Sequence, residues 1–141
     1  MDADLYAMVA SETANPKAHQ WEHYVLGMVD EVGEVAKIFK KIVAYQEIVD
    51  VDHEILNGVG KDGVPMRDRL IEELGDLHWF MSQLCRLYGI EISEVLKANI
   101  RKLQGARYKN GFTTQEALDR DLVAEAEELQ AVPAKEDADE A

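Results

Sequence analysis

Two stretches of the chain, VLGMVDEVGEVAKIFKKIV (residues 25–43) and RLIEELGDLHWFMSQL (residues 69–84), carry acidic residues inside helical apolar stripes. Residues three apart on an α-helix share a face. At about 100° per residue, each stretch places one acidic pair on its stripe: Glu31 and Glu34 in the first, Glu73 and Asp76 in the second. A carboxylate that faces a core is costly unless it is paired or binds a metal. Two pairs with the same offset therefore predict a metal site between two helices.

The alternative for a single acidic pair is a solvated helix face, which places the carboxylates opposite the apolar stripe. Here both pairs lie within the stripe. Glu72 provides the contrast, because it projects about 100° away from Glu73, and for it a surface role and a supporting role at the metal stay equally open. Four oxygen donors suit Mg²⁺, with Mn²⁺ as a possible substitute. Since Mg²⁺ often shares its ligand shell with substrate phosphates, the predicted chemistry is metal-assisted phosphate transfer or hydrolysis.

Composition limits the function classes. The chain has 141 residues, of which 47% are hydrophobic, and a formal net charge of −13. That charge argues against a nucleic-acid groove or an anionic membrane surface as partner, although a metal can still bring a nucleotide to the site. The single cysteine, Cys85, excludes an internal disulfide and fits a reducing cytosol. Without a membrane-length apolar run or a basic signal-peptide start, we expect a soluble, cytoplasmic protein.

The apolar periodicity predicts an all-α fold, a four-to-five-helix bundle in a single domain over residues 1–130. The expected helices cover residues 2–14, 16–44, 67–88, 93–110 and 114–130, with Ser93 and Thr113 as N-terminal caps. In the first of them, Leu5, Met8 and Val9 are expected to face inward. Residues 45–66 form an excursion of uncertain structure, either a small hairpin or a loop. The acidic, proline-broken segment 131–141 is expected to be disordered.

A second polar pair lies on the predicted fourth helix. Asn99 and Lys102 share the face of its apolar residues, where an amide and an ammonium suit a phosphate chain. Snorkelling of Lys102 and backbone bonding by Asn99 are an equally good account. Lys41 follows Glu34 on the same flank and is a phosphate candidate or an ordinary last-turn lysine. Tyr24 is a candidate for stacking on a nucleotide base, with buried packing as the default alternative.

The motifs resemble those of the MazG-type, all-α nucleoside triphosphate pyrophosphohydrolase superfamily. The family's ExxE helix followed by an ExxD helix is similar to DEVGEVAKIFKK (residues 30–41) and EELGDLHWF (residues 72–80). The likeness continues through Asn99-Ile-Arg-Lys102-Leu into ARYKNGFTTQEALDRD (residues 106–121). The 38 residues that separate Glu34 from Glu73 are a longer interval than is usual in the family, and the excess is the 45–66 excursion.

The resemblance implies hydrolysis between the α and β phosphates of a (deoxy)nucleoside triphosphate, which gives a nucleoside monophosphate and pyrophosphate. It implies Mg²⁺ ligands at four matching positions and phosphate contacts at two more: Glu31, Glu34, Glu73 and Asp76 for the metal, Asn99 and Lys102 for the phosphates. One of the acids is expected to orient or deprotonate the attacking water. Family members assemble as homodimers or homotetramers.

The sequence allows three rival interpretations to be compared with this one. A di-iron carboxylate bundle requires two Glu-x-x-His motifs, and the chain contains none. A dUTPase-like member of the same superfamily stays open, because nothing in the sequence identifies the residues that read the base. A catalytically inactive helical protein that binds a structural metal or a protein partner also stays open, although a scaffold has no need for inward-facing Asn99 and Lys102 beside the acids.

Overall fold

The computed structural model describes residues 1–15, 17, 20–45 and 50–130. All regular structure in these ranges is helical, which confirms the all-α class. The chain divides into two compact units, Met1–Ile90 and Glu91–Ala141, and each is described by itself below. The predicted acidic tail at 131–141 lies outside the described residues.

Seven α-helices are present in the described ranges, two more than the sequence predicted. The first unit contains α1 (Ala3–Ala10), α2 (Trp21–Lys40), α3 (Val51–Asn57) and α4 (Met66–Leu87). The second unit contains α5 (Ile92–Arg101), α6 (Thr114–Leu118) and α7 (Leu122–Gln130). A 3₁₀ turn follows α1 at Ser11–Thr13, and wider π-helical turns extend α2 and α5 at Lys41–Tyr45 and Lys102–Arg107.

Helix α4 agrees with its predicted limits to within one residue and ends before Gly89, whose φ of 67° suits a glycine stop. Helix α2 begins at Trp21, and the predicted start at Pro16 lies outside the described residues. The predicted cap at Ser93 is wrong: α5 already includes Ile92, which places Ser93 within its first turn.

The predicted last helix, 114–130, is wrong as one element, because it is divided into α6 and α7. The cap at Thr113 is confirmed, since its hydroxyl oxygen accepts the Glu116 backbone N–H at 3.1 Å. The division follows from Asp121, whose carboxylate accepts the N–H groups of Val123 and Ala124 at 3.2 and 3.0 Å. An aspartate that bonds the backbone in this way starts a new helix rather than continuing an old one.

The long helices α2 and α4 pack antiparallel, as contacts at their opposite ends show. At one end, Ile38 of α2 and Ile42 of the π-helical turn that follows it form a buried cluster with Met66 of α4, and Val51 and Ile55 of α3 pack against it. The excursion thus contributes a short helix to the core. At the other end, the aromatic rings of α2 and α4 meet, with His23 and Tyr24 against Phe80 and Trp79. The acidic motifs lie between these two apolar ends.

Helix α1 attaches to α4 through Trp79. The indole N–H of Trp79 lies 2.9 Å from the Thr13 hydroxyl and 3.2 Å from the Ala10 carbonyl oxygen, both of which accept from it. The Tyr6 ring packs at a tilt against the His78 ring, with centroids 5.1 Å apart, and Ala7 is buried. The expectation that Leu5, Met8 and Val9 face inward is therefore wrong, since all three are exposed in the chain and the opposite flank of α1 makes these contacts.

Candidate metal centre

Three acidic side chains converge between α2 and α4. Glu31 of α2 and Glu73 and Asp76 of α4 each offer a carboxylate oxygen, and the three oxygens lie within 4.8 Å of one another. Glu31 and Glu73 are half-buried, whereas Asp76 is exposed. The antiparallel packing produces this cluster, because it places the middle of each apolar stripe, and hence each acidic pair, against the other helix.

Glu34 has a different partner. Its carboxylate oxygens lie 2.7 and 2.8 Å from the ammonium nitrogen of Lys37, three residues further along α2. Its charge nevertheless helps to raise the pKa of Glu73, which places it in the same electrostatic field as the cluster. The structure thus brings three of the four predicted ligands together and places the fourth beside them. Glu72 is exposed, as its projection predicted.

Two carboxyl groups of the cluster, those of Glu31 and Glu73, resist ionisation. Partial burial, followed by the charges of Asp76, Glu73 and Asp30, raises the pKa of Glu31 above its usual range. Partial burial and the charges of Glu34, Glu72 and Asp76 likewise raise the pKa of Glu73, against an opposing hydrogen bond from Glu31. Glu31 donates that hydrogen bond and Glu73 accepts it.

This arrangement fits a hard divalent cation. Carboxylate oxygens are the donors that Mg²⁺ and Mn²⁺ prefer, and Mg²⁺ is commonly held by few protein carboxylates while water and substrate complete its shell. A bound cation also offsets the partial burial and the neighbouring negative charges that raise the pKa values of Glu31 and Glu73. No lysine or arginine makes a salt bridge with the three clustered carboxylates in the described part of the chain.

Comparison with known proteins identifies the family of this chain. The MazG nucleotide pyrophosphohydrolase domain matches residues 19–112. The chain belongs to the MazG family. It is also 32% identical over 117 residues to the Gene 37 protein of Mycobacterium phage L5, a match that covers 76% of this chain and 90% of that protein. No solved structure matches the chain significantly.

The MazG match extends beyond the acidic helices to Asn99 and Lys102 of the second unit. Lys102 is half-buried and opens the π-helical turn after α5, whereas Asn99 is exposed. Because the two residues lie in a different unit from the acids, their predicted contact with the phosphate chain stays a prediction.

Within the first unit of this MazG chain, Tyr24 and Lys41 occupy different environments. Tyr24 is 1% exposed and its ring meets those of His23 and Trp79. Its burial favours a packing role over stacking on a nucleotide base. Lys41 is exposed and lines a cavity of about 440 Å³ together with Glu34 and Glu73.

Three further basic residues line this cavity and were not among the predicted site residues: Lys37, Lys61 and Arg69. Lys37 had a detectable signal, since it follows Glu34 by three residues and therefore shares its face. Lys61 had none, because its position depends on how the loop of the excursion folds. Among the described residues, no helix is both long and apolar enough to cross a lipid bilayer.

Proposed function

We propose that this MazG domain hydrolyses a nucleoside triphosphate between its α and β phosphates, with a divalent cation held by the acidic cluster. The observation that carries the proposal is the convergence of Glu31, Glu73 and Asp76 within 4.8 Å in a chain of this family. The products are a nucleoside monophosphate and pyrophosphate.

We assign the roles of the residues from the acidic cluster and from the family resemblance. Glu31, Glu73 and Asp76 hold Mg²⁺, or Mn²⁺ in its place, and we assign Glu34 as the fourth ligand because its charge already acts on Glu73. When bound, the cation neutralises charge on the phosphates and lowers the pKa of a bound water. Partial burial of Glu31 and Glu73 strengthens their electrostatic effect on the reacting groups. Asn99 and Lys102 are proposed to bind the phosphate chain.

We also propose that the active form is a homo-oligomer. Large apolar side chains of α2 and α4 are exposed in the single chain: Leu26, Val29, Val32, Ile71 and Leu74. Leu26 and Val29 also line an open groove beside His23 and Phe80. A second copy is the occupant that we assign to this apolar face, since the same patch on two chains satisfies twofold symmetry and family members assemble in this way.

A panel of ribo- and deoxyribonucleoside triphosphates that includes dUTP tests the function. Each is incubated with protein and Mg²⁺ or Mn²⁺, and the products are separated by ion-exchange chromatography. The proposal expects monophosphate and pyrophosphate in equal amounts from at least one substrate. Diphosphate and orthophosphate would refute the assigned bond, and no turnover across the panel by folded protein would favour the inactive scaffold.

A further inference from the structure

The cavity beside the acidic cluster has a lining that suits an anion. It shares Glu34 and Glu73 with the candidate metal centre, and its other walls come from the end of α2, the loop of the excursion and the start of α4. Four basic side chains line it against three acidic ones: Lys37, Lys41, Lys61 and Arg69 against Glu34, Asp62 and Glu73. In a chain with a net charge of −13, this cavity is a local excess of positive charge.

Two of the four basic side chains already have acidic partners. Lys37 pairs with Glu34 at 2.7 Å, and Arg69 pairs with Asp62. Neither Lys41 nor Lys61 forms a salt bridge with any residue that the structure describes. Their two charges are therefore available to a ligand that enters from the side of Glu73.

The loop that carries Lys61 has a defined backbone. The Gly60 N–H donates to the Val64 carbonyl at 2.8 Å, and the Gly63 N–H donates to the Gly60 carbonyl at 2.9 Å. Gly63 has a φ of 83°, which suits glycine. A side chain at Gly60 would place its Cβ 2.8 Å from an Asp62 carboxylate oxygen and 3.3 Å from Arg69. The pair of Asp62 with Arg69 then ties the loop to α4, so that Lys61 is held at the cavity wall.

We propose that Lys61, together with Lys41, binds the two phosphates that leave as pyrophosphate. The inference rests on the proposed function and extends it to the excursion, for which the family motifs supply no role. Because Glu73 belongs to both the metal centre and the cavity wall, a phosphate chain bound at the metal would lie beside the cavity. The ammonium groups of Lys41 and Lys61 would then donate charge-assisted hydrogen bonds to it. The cavity also has an apolar side formed by Ile38, Tyr45 and Met66. Because seven of its eleven lining residues are charged, whereas binding sites for aromatic rings are mostly apolar, a phosphate chain matches it better than a nucleobase.

Calorimetric titration of the protein with inorganic pyrophosphate in the presence of Mg²⁺ tests the site without requiring turnover. Lys61→Gln is compared with Arg67→Gln, which removes the same charge from an exposed residue of the same unit that does not line the cavity. We expect Lys61→Gln to weaken pyrophosphate binding about tenfold, as loss of about 1.4 kcal/mol would. Arg67→Gln should bind as the wild type does, and Lys61→Arg should retain most of the affinity.

Equal affinity of Lys61→Gln and the wild type would overturn the proposal, and so would an equal loss in Arg67→Gln or no binding of pyrophosphate by the wild type. The two proposals fail separately. Turnover by a wild type whose pyrophosphate affinity does not depend on Lys61 would refute only the assignment of the loop. Lys61-dependent pyrophosphate binding without turnover of any nucleotide would refute only the hydrolase.

Discussion

At the scale of single residues, Glu31 and Glu73 both resist ionisation at the contact between α2 and α4. Each has a raised pKa because partial burial and neighbouring carboxylates disfavour its charged form. In such a case the folded state binds a proton more tightly than the unfolded chain does. The metal-free protein therefore loses stability as the pH rises from the ordinary carboxyl range through the raised pKa values. A bound cation offsets this loss of stability.

The first prediction concerns Glu73→Gln. Without metal at neutral pH, this variant should melt at a higher temperature than the wild type, because it removes one of the repelling charges. With Mg²⁺ at about 100 times the wild-type dissociation constant, the wild type should gain about 2.7 kcal/mol, whereas the variant should gain almost none. Differential scanning fluorimetry with and without Mg²⁺ measures both effects.

Glu72→Gln is the matched control, since it makes the same change at an exposed neighbour outside the cluster. It should retain the Mg²⁺-dependent rise in melting temperature. Acidification from about pH 7 to about pH 5 should also weaken Mg²⁺ binding by the wild type, since the raised pKa values mean that a proton competes with the cation. Equal Mg²⁺ responses in all three proteins would contradict the ligand assignment.

In the second unit, the pKa of the buried acid Glu125 is lowered, in contrast to the raised pKa values of Glu31 and Glu73. Hydrogen bonds from Arg107 and then Arg120 lower its pKa to about 2 from 4.5. The shortest contacts to each arginine are 2.8 and 2.7 Å. Because the folded-state pKa is depressed, the stabilisation is present above about pH 4.5 and is lost as the pH falls toward 2.

We predict that Glu125→Gln lowers the melting temperature by several degrees at neutral pH, because two arginines lose their charged partner while one of them stays mostly buried. Thermal melts between pH 7 and about pH 3 should show the difference from the wild type shrinking as the pH falls below 4.5. Glu127→Gln, on the exposed side of the same helix, should melt close to the wild type throughout. A difference that grows in acid would contradict the assignment.

At the scale of elements, the pairing of α2 with α4 depends on one close approach. A Cβ on Gly27 would lie 2.3 Å from the nearest atom of the Phe80 ring, which itself packs edge-on against Trp79 with centroids 5.0 Å apart. Gly33, two turns further along the same helix, has open space where its side chain would lie. Alanine substitutions at the two glycines therefore distinguish the effect of packing on stability from the effect of helix propensity.

Gly27→Ala should destabilise the protein by about 1–3 kcal/mol, because overpacking outweighs the gain in helix propensity. Gly33→Ala should stabilise it by about 0.5–1 kcal/mol, since there only propensity changes. Urea unfolding at a protein concentration where all three proteins have the same oligomeric state measures both. Shifts of equal sign and size would show that α2 and α4 do not approach as described.

The parts of the fold that sequence predicted are those with long apolar repeats. The stripes of α2 and α4 contain enough turns to define a face. That face carries the three acids that the structure brings together, Glu31, Glu73 and Asp76, whereas the fourth predicted ligand, Glu34, pairs with Lys37. Helix α3 was not predicted because it has only seven residues and because three acidic residues, one of them the N-cap, lie at its start. The break between α6 and α7 was not predicted because Asp121 is compatible with either a helix interior or a helix cap. Lys61 was unpredictable since loop hydrogen bonds determine its place.

At the scale of the whole molecule, the single chain leaves large apolar side chains of α2 and α4 exposed to solvent. Leu26 and Val29 of α2 are 67% and 65% exposed. The double variant Leu26→Glu/Val29→Glu should convert the proposed homodimer or homotetramer to a monomer, because charges on both sides of a symmetric interface repel. Size-exclusion chromatography with light scattering measures the mass directly.

Leu118→Glu is the control for this test, since Leu118 is 75% exposed on α6 in the other unit. It should retain the oligomer. A wild type that remains monomeric at all concentrations would contradict the assembly, and so would a double variant with the wild-type mass. The hydrolase proposal for the acidic cluster would then have to stand on a single chain.

The central claim is that the acids between α2 and α4 hold the cation that drives cleavage. Pyrophosphate release from the preferred nucleotide, titrated with Mg²⁺ for the wild type, Glu73→Gln and Glu72→Gln, tests it most directly. The account predicts saturable Mg²⁺-dependent release by the wild type and Glu72→Gln, and at least a hundredfold slower release by Glu73→Gln, on the order of 2.7 kcal/mol of transition-state stabilisation. Release that needs no divalent cation, or that proceeds at the wild-type rate in Glu73→Gln, would contradict it.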